Sequence, residues 1–505
     1  MSIKNKLYII LFVAVLLISA IIRFQQSANF DFPFTYDQAR DLLDIRVLAN
    51  LYDFKISGPT TSITGLNLGP FYYIFNLPAY WIGGNPQFLV WWNILWFLLS
   101  AIVIFVFFFK RNKLLGSVIS IILLMSPQLF PVTRYFWNAN SVVYFIVFYF
   151  LAFWNFIENK SAKNALIWGV TAGLVIQFEA AFGSMCVAFS FLTILFTKNR
   201  QTVKNYLVGI LPWFLPQIAF EILHKFQMTK LLIATLSGQS TILGEKMSIP
   251  AAATMHWNTI SKFFEGQFML PYGGGLLLLI FAVFVSLKSK KYRKIILYFI
   301  GFLAFAFSYY TLIYHHELKP WYLEGIRVWY CFIIGIAVVS VAKYKKLFYI
   351  FLTLFLLRSF YLTTTDQYSY IADNGNSNDP KNAANYIQSI DWVYSHANAE
   401  GFDAYNYVPE VYDFSPQYMY WWYGNIQYGY TPNEMSYSLE PVPEYIRMGE
   451  RFTQNNKENA DGNVALMYET IGDYQTWLKQ FDNYCVLDKQ EFYWRVSVEW
   501  RRECE

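Results

Sequence analysis

Charge is what this chain has least of. Of its 505 residues only 14% are Asp, Glu, Lys or Arg, while 56% are hydrophobic and 21% aromatic. Soluble domains carry about 25% charged residues. The deficit excludes one large water-exposed globule and points to lipid as solvent. Histidine (5) and cysteine (4) are also scarce, and no cysteine spacing has the form of a metal knuckle. Cys186 and Cys331 fall in apolar runs and read as small buried residues. Cys485 and Cys504 fall in the tail. A hairpin turning near Asp488-Lys489-Gln490 would not set them opposite each other, so the expectation is against a disulfide. No internal repeat is visible.

What the chain does have is long runs free of charge: Gln87–Phe109, Leu114–Phe130, Leu207–Phe220, Gly273–Leu287, Ile295–Tyr314 and Leu347–Leu357. The longer ones match the roughly 20 residues of a membrane-spanning helix. The net charge of +5 is no nucleic-acid signal, because the basic residues sit in short loops between these runs. They are Lys4 and Lys6, Lys110-Arg111-Asn112-Lys113, Lys160 and Lys163, then Lys198, Arg200 and Lys204. The cluster Lys288, Lys290, Lys291, Arg293 and Lys294 follows, and Lys343, Lys345 and Lys346 come last. Placing all of them in the cytoplasm satisfies the positive-inside rule. That choice predicts spans near 6–22, 87–109, 114–131, 141–157, 164–181, 183–197, 205–223, 273–287, 295–314, 325–342 and 347–363. Their odd number puts the tail outside. The first run is read as an anchor, since no small-x-small cleavage site follows it.

Residues 69–81, Gly-Pro-Phe-Tyr-Tyr-Ile-Phe-Asn-Leu-Pro-Ala-Tyr-Trp, are apolar but hold two prolines and interfacial aromatics. They read as an amphipathic or re-entrant helix at the outer surface. The outer segments are then 23–86, 132–140, 224–272, 315–324 and the tail. Asn374–Pro380 is a polar linker. A helix is expected over Lys381–Ser395, and strands in stretches such as Arg495–Trp500. The expected domains are a transmembrane domain, 1–363, a linker, 364–380, and an extracytoplasmic α+β domain, 381–505.

Ionisable residues inside spans are functional candidates. Here they are Glu179, Glu221, Arg327 and Arg358, all in the outer halves of their helices. Glu221 and Arg358 read as snorkelling side chains, whereas Glu179 is deeper and is a candidate for a polar cavity. A transporter would place charges at the midplane on broken, repeated helices, and no such file exists.

The first outer loop opens with Phe34-Thr35-Tyr36-Asp37-Gln38-Ala39-Arg40-Asp41. On a helix Asp37 and Asp41 are i,i+4 neighbours, as are Arg40 and Asp44. A solvated amphipathic helix explains these charges alone. It does not explain the next stretch, Lys55 to Pro70, rich in hydroxyls and glycines suited to a sugar or phosphate.

The order of parts resembles the GT-C superfamily of membrane glycosyltransferases, in the group around aminoarabinose transferases and protein O-mannosyltransferases. The resemblance rests on a first span, an outer loop with an early Asp, a Gly-Pro-x-Tyr-Tyr segment and alternating spans. Arg134-Tyr135-Phe136-Trp137-Asn138-Ala139-Asn140 resembles an Arg-x-x-Trp-Asn-x-Asn element of bacterial members. Tyr423–Pro432 resembles a tail element. The implied fold is a mainly α, polytopic GT-C helix bundle with a small extracytoplasmic α+β domain.

The resemblance implies a polyprenyl-phosphate-linked sugar donor, an acceptor that is lipid, glycan or protein, and a reaction on the outer face. It matches the family's catalytic acid to Asp37. Many members have Asp-Glu where this chain has Asp37-Gln38, and many carry a histidine where this chain has Glu179. The second departure leaves a divalent metal open. Asp37 is expected to act as general base, with Arg134 as first partner of the leaving phosphate and Lys55, Lys319 and Arg327 behind it. Arg40, Tyr72, Trp137, Asn138, Glu179 and His316 complete the expected substrate contacts. His315-His316-Glu317 reads as a donor or acceptor loop rather than a metal site, since adjacent histidines project differently.

Three competing readings stay open. One is a transporter or flippase. The second is a polymerase or ligase of lipid-linked glycans, which would want an outer loop richer in arginine and histidine than 224–272. The third is a non-catalytic glycan-binding protein.

Overall fold

A computed structural model describes residues 3–51, 55–63, 65–237, 247–267, 273–342, 344–372, 378–410, 412–439 and 455–504. Compactness divides the chain into two units. The first comprises Met1–Phe24, Asp53–Leu77 and Val90–Thr365; the second comprises Gln25–Tyr52, Pro78–Leu89 and Asp366–Glu505.

The helices run in order: α1 (Ile3–Gln26), α2 (Tyr36–Ala49), α3 (Phe71–Tyr80), α4 (Pro86–Phe109), α5 (Lys113–Met125), α6 (Leu129–Arg134), α7 (Asn138–Glu158), α8 (Ala162–Ile176) and α9 (Ala180–Leu195). They continue with α10 (Arg200–Leu223), α11 (Gln227–Leu236), α12 (Ile249–Gln267), α13 (Gly274–Leu287), α14 (Arg293–Ile313), α15 (Glu324–Ser340), α16 (Lys345–Ala372) and α17 (Ala383–Ala397).

The first unit is a bundle of apolar helices. Among the described residues six segments are long and apolar enough to cross a membrane: Lys6–Gln26, Pro86–Phe109, Asn138–Glu158, Arg200–Leu223, Arg293–Ile313 and Pro320–Ser340. Shorter apolar helices cover Lys113–Met125, Ala162–Ile176, Ala180–Leu195, Gly274–Leu287 and Tyr349–Leu362. Every expected span thus has its helix, and the chain is a multi-pass membrane protein. Segment 69–81 forms α3, whose ten residues are too few to span. The 224–272 segment holds two further helices, α11 and α12; residues 238–246 and 268–272 lie outside the described ones.

In lipid, helices gain little from burying apolar surface against each other. Close packing and interhelical hydrogen bonds hold them instead. The pair α8 and α10 shows the first device. A Cβ on Gly169 would overlap the Tyr206 carbonyl, and one on Gly209 would overlap that of Leu166, so backbone meets backbone. Arg23 shows the second. Its guanidinium is fully buried and donates to the Leu129 carbonyl at 2.7 Å, the Thr133 hydroxyl at 2.5 Å and the Leu124 carbonyl at 3.3 Å. The rings of Phe97 and Phe130 face it at 4.1 and 3.9 Å. The span expected over 6–22 stops one residue short of this buried charge, because α1 continues to Gln26. Arg23 pins α1 to the α5–α6 region rather than marking a pathway.

The second unit is built on a five-stranded sheet of order β2-β1-β3-β5-β4. The strands are β1 (Asp403–Tyr407), β2 (Met435–Ser436), β3 (Asn463–Glu469), β4 (Tyr484–Phe492) and β5 (Val496–Glu503). β1 pairs in parallel with β2 and β3, while β5 runs antiparallel to β3 and β4. Tyr405, Leu466, Trp477 and Phe481 form its core. The expected tail helix is α17, and the expected strand is β5. Of the linker Asn374–Pro380, residues 374–377 lie outside the described ones.

The expectation about Cys485 and Cys504 is corrected: the two form a disulfide, with Cα atoms 5.1 Å apart. The hairpin turns at Tyr493-Trp494-Arg495, not near Asp488, and a register shift lies between Val486 and Asp488. Cys485 therefore faces Arg502, and Cys504 is its diagonal neighbour.

Two first-loop pieces belong to this unit. The Phe34 amide donates to the Lys381 carbonyl at 2.7 Å, and the Ala383 amide to that of Phe32 at 3.0 Å. Asn382 Nδ2 donates to Asp31 at 2.6 Å. Tyr418, on α18 (Phe414–Met419), donates its hydroxyl to the Gly84 carbonyl at 2.7 Å. Arg46 of α2 lies over the Trp421 ring at 4.6 Å. The helix carrying Asp37 is therefore clamped by tail residues.

Candidate active site

The local sequence explains where α2 starts. Thr35 is extended (φ −92°, ψ 172°) and stands at the N-cap. Gln38, three residues on, returns its Oε1 to accept the Thr35 amide at 2.8 Å. This is a capping box, for which glutamine serves as well as glutamate. Gln38 is fully buried, so its departure from Asp-Glu has a structural reading: it closes the helix start.

Asp37 follows in the first turn, where a helix N-terminus favours negative charge. Arg40 Nη1 lies 2.9 Å from Asp37 Oδ1, and Arg40 Nη2 lies 2.9 Å from Asp41 Oδ1. Arg40 Nε also donates to Asp41 Oδ1, at 3.1 Å. The side chain of Asp37 is 21% exposed and that of Asp41 only 1%. The guanidinium thus reaches both the partly exposed and the buried carboxylate. Tyr36 stacks on Tyr412 with ring centroids 5.7 Å apart.

Burial raises the pKa of Asp37 above the ordinary carboxylate range, and the Arg40 guanidinium opposes that rise. Burial lifts Asp41 further, to about 7, again opposed by Arg40 and reinforced by Asp37. Asp37 is thus an accessible carboxylate of raised proton affinity with a cation holding one oxygen. That combination suits proton abstraction.

Of the expected site residues, Asp37 and Arg40 lie in the second unit. Lys55, Tyr72, Arg134, Trp137, Asn138, Glu179, His316, Lys319 and Arg327 lie in the first. Within the first unit several meet around the turn Pro320–Leu323. Trp137 packs edge-on against Trp321 at 5.7 Å. Asn138 Nδ2 donates to the Phe178 carbonyl at 2.8 Å, and Asn140 Nδ2 to that of Tyr135 at 3.0 Å. The Trp-Asn-x-Asn element therefore braces the entry to α7 and the α8–α9 corner. Glu179 is buried and accepts the Phe182 amide as the N-cap of α9. Tyr72 is buried and meets Phe178 edge-on at 6.3 Å.

His316 is buried, and its carbonyl accepts from His256 Nε2 at 2.9 Å. His315 instead lies beside the Leu312 carbonyl, at 3.0 Å. Lys319 is ion-paired with Glu317. Arg327 is held by Glu324 at 2.7 Å and by Gln128 Oε1 at 2.5 Å. Arg134 and Lys55 are half-buried. Glu221 does more than snorkel: its two oxygens accept the Met228 and Thr229 amides, each at 3.0 Å, and cap α11. The glycines of the 55–70 stretch serve chain-to-chain approach. The Gly58 amide donates to the Leu68 carbonyl at 2.8 Å, and a Cβ on Gly58 would overlap the Gly69 carbonyl. Among the described residues no group of three or more His, Cys, Asp or Glu side chains is arranged to hold a metal ion.

The apolar bundle with its mixed-sheet tail is the GT-C fold. ArnT from Cupriavidus metallidurans bound to undecaprenyl phosphate aligns over 98% of this chain and 98% of its own, with TM-score 0.60 and 13% identity. The same protein in the apo state gives 0.58 and 12% over the same shares. An Archaeoglobus fulgidus oligosaccharyltransferase in complex with Zn and sulfate aligns more loosely, at TM-score 0.48 and 12% identity over 93% of this chain and 71% of its own. No protein-family model and no curated protein sequence matches the chain.

Proposed function

We propose that this protein is a glycosyltransferase that moves a sugar from a polyprenyl-phosphate-linked donor to an acceptor hydroxyl, with inversion. The observation that carries the reading is the carboxylate of Asp37. It stands at the start of the helix after the first span, partly exposed, of raised proton affinity and held by Arg40. The GT-C fold, shared with a protein solved with undecaprenyl phosphate, supports the donor class.

In this mechanism Asp37 takes the proton of the acceptor hydroxyl as its oxygen attacks the anomeric carbon. The bond from that carbon to the phosphate oxygen breaks, and polyprenyl phosphate leaves with the bonding pair. A positioned base contributes about 10²–10⁴-fold. The leaving phosphate needs a cation, and Arg134 is assigned that role ahead of Lys55. Lys319 and Arg327 follow.

The assigned topology has the N-terminus in the cytoplasm and the tail outside. The positive-inside pattern supports it. So does the Cys485–Cys504 disulfide, because such bonds persist in oxidising compartments. The test is transfer of labelled sugar from polyprenyl-phosphate donor in membranes carrying wild-type or Asp37→Asn protein at equal levels. Wild-type rates in the variant would remove Asp37 as base.

A further inference from the structure

Along α10, starting at the turn that follows α9, runs a groove of about 890 Å³ that the proposed reaction does not use. Its walls come from α10 at Leu207, Leu211, Phe214 and Ile218. These positions are spaced 4, 3 and 4 residues apart and so form one stripe of the helix. The stripe is open: Leu207, Leu211 and Ile218 are 46, 52 and 43% exposed. It stays open because α10 packs closely on α8 through Gly169 and Gly209 and only lightly on α9.

Exposed leucines on a spanning helix need nothing but lipid. This groove also has a charged end. Lys198, Arg200 and Lys204 line one mouth of it, all exposed to solvent. The mouth is also the N-terminus of α10, capped by Asn199, whose Oδ1 accepts the Gln201 and Thr202 amides at 3.0 and 3.3 Å. The helix dipole adds positive potential there. From Lys204 to Ile218 the helix rises about 21 Å, against about 15 Å for half a hydrocarbon core. The stripe is therefore long enough to follow an acyl chain through one leaflet.

We infer that this groove is a binding site for an anionic diacyl phospholipid, its phosphate held by Lys198, Arg200 and Lys204 and its chains laid along α10. The charge at the mouth selects an anionic headgroup. The open wall suits an abundant bilayer lipid bound with modest affinity rather than a scarce carrier. The inference rests on α9 and α10 being spans and is independent of the glycosyltransferase reading.

The test is native mass spectrometry of the full-length protein in detergent. Phosphatidylglycerol, phosphatidylcholine with the same chains and undecaprenyl phosphate are added in turn. Wild type should retain phosphatidylglycerol over phosphatidylcholine. Lys198→Gln/Arg200→Gln/Lys204→Gln should weaken phosphatidylglycerol about tenfold or more, each basic residue near a membrane surface contributing materially. Lys204→Gln alone should give a smaller loss in the same direction. Leu211→Trp should lower retention of both phospholipids. The control Lys288→Gln/Lys290→Gln/Lys291→Gln removes as many charges from another loop and should leave retention unchanged. Equal retention by the first triple variant, equal loss in the control, or no preference over phosphatidylcholine overturns the site. Tighter retention of undecaprenyl phosphate overturns the assigned occupant. Thermal melting of each variant separates lost binding from lost folding.

Discussion

Arg40 and Asp37 form an ion pair of 2.9 Å one turn into α2, and the same guanidinium holds the buried Asp41 at 2.9 Å. One cation therefore serves two carboxylates. Only the outer one, Asp37, keeps an accessible face.

If Asp37 is the base, Asp37→Asn should lower transfer by about 10²–10⁴-fold. Arg40→Gln should act through pH. Arg40 holds the Asp37 pKa down against burial, so its loss raises that pKa further. The base must be ionised to act, and the acidic limb of the rate profile should therefore move to higher pH. An unmoved limb in Arg40→Gln, measured in membranes against wild type, would remove Arg40 from this role.

Gln38 should tolerate glutamate and not alanine. Its Oε1 closes the capping box on Thr35, and a carboxylate oxygen does the same. Gln38→Ala should cost about 1 kcal/mol of local stability and weaken the hold on Asp37. Limited proteolysis across α2 and transfer rate should both change in Gln38→Ala and stay near wild type in Gln38→Glu.

Glu469 should make the protein less stable at high pH. It is buried, neither carboxylate oxygen has a hydrogen-bond partner, and burial raises its pKa from 4.5 to about 7. Between these values the folded state binds the proton and the unfolded chain does not. The stability contributed by the neutral acid is therefore complete below the unfolded pKa, near 4.5, and is lost as pH rises through about 7. Glu469→Gln removes the ionisation, so it should melt higher than wild type at pH 8, by at most about 3 kcal/mol. The gap should close toward pH 5. Parallel melting curves at both pH values would contradict the burial of this charge.

The Cys485–Cys504 bond should tie the β4–β5 hairpin. Cys485→Ser/Cys504→Ser, or reduction of the wild type, should lower stability by about 2–4 kcal/mol. Non-reducing peptide mapping of the purified protein should recover the two cysteines as one linked species. Melting that ignores reductant would assign the hairpin's stability to its strands alone.

Much of this molecule follows from local pattern. Charge-free runs, together with the basic clusters between them, gave the spanning helices, because a bilayer demands about 20 apolar residues and internally satisfied backbone. Alternation gave β5, and Pro380 with the following periodicity gave α17. Asp37 stood out by its position after the first span. Gln38 was legible too: Thr35-x-x-Gln38 is a capping-box string. Reading it against family pattern made it look like a lost acid.

What the pattern could not give is every contact between residues distant in the chain. Arg23 lies just beyond a plausible span end, and only packing against Leu129 and Thr133 buries it. Asn138 and Glu179 look like ligand groups by type. The fold engages them with the backbone of Phe178 and Phe182, because buried polar groups must be satisfied. The hairpin register that joins Cys485 to Cys504 depends on where the turn falls and on one shift in pairing. Sequence alone determined a multi-pass bundle with an acid at the head of its first loop, since solvent selects helices residue by residue. Tertiary structure alone decided which charges that acid keeps company with. Partner choice belongs to side chains meeting in space, and α2 and the segment leading into it are clamped by tail residues more than three hundred positions away in the chain.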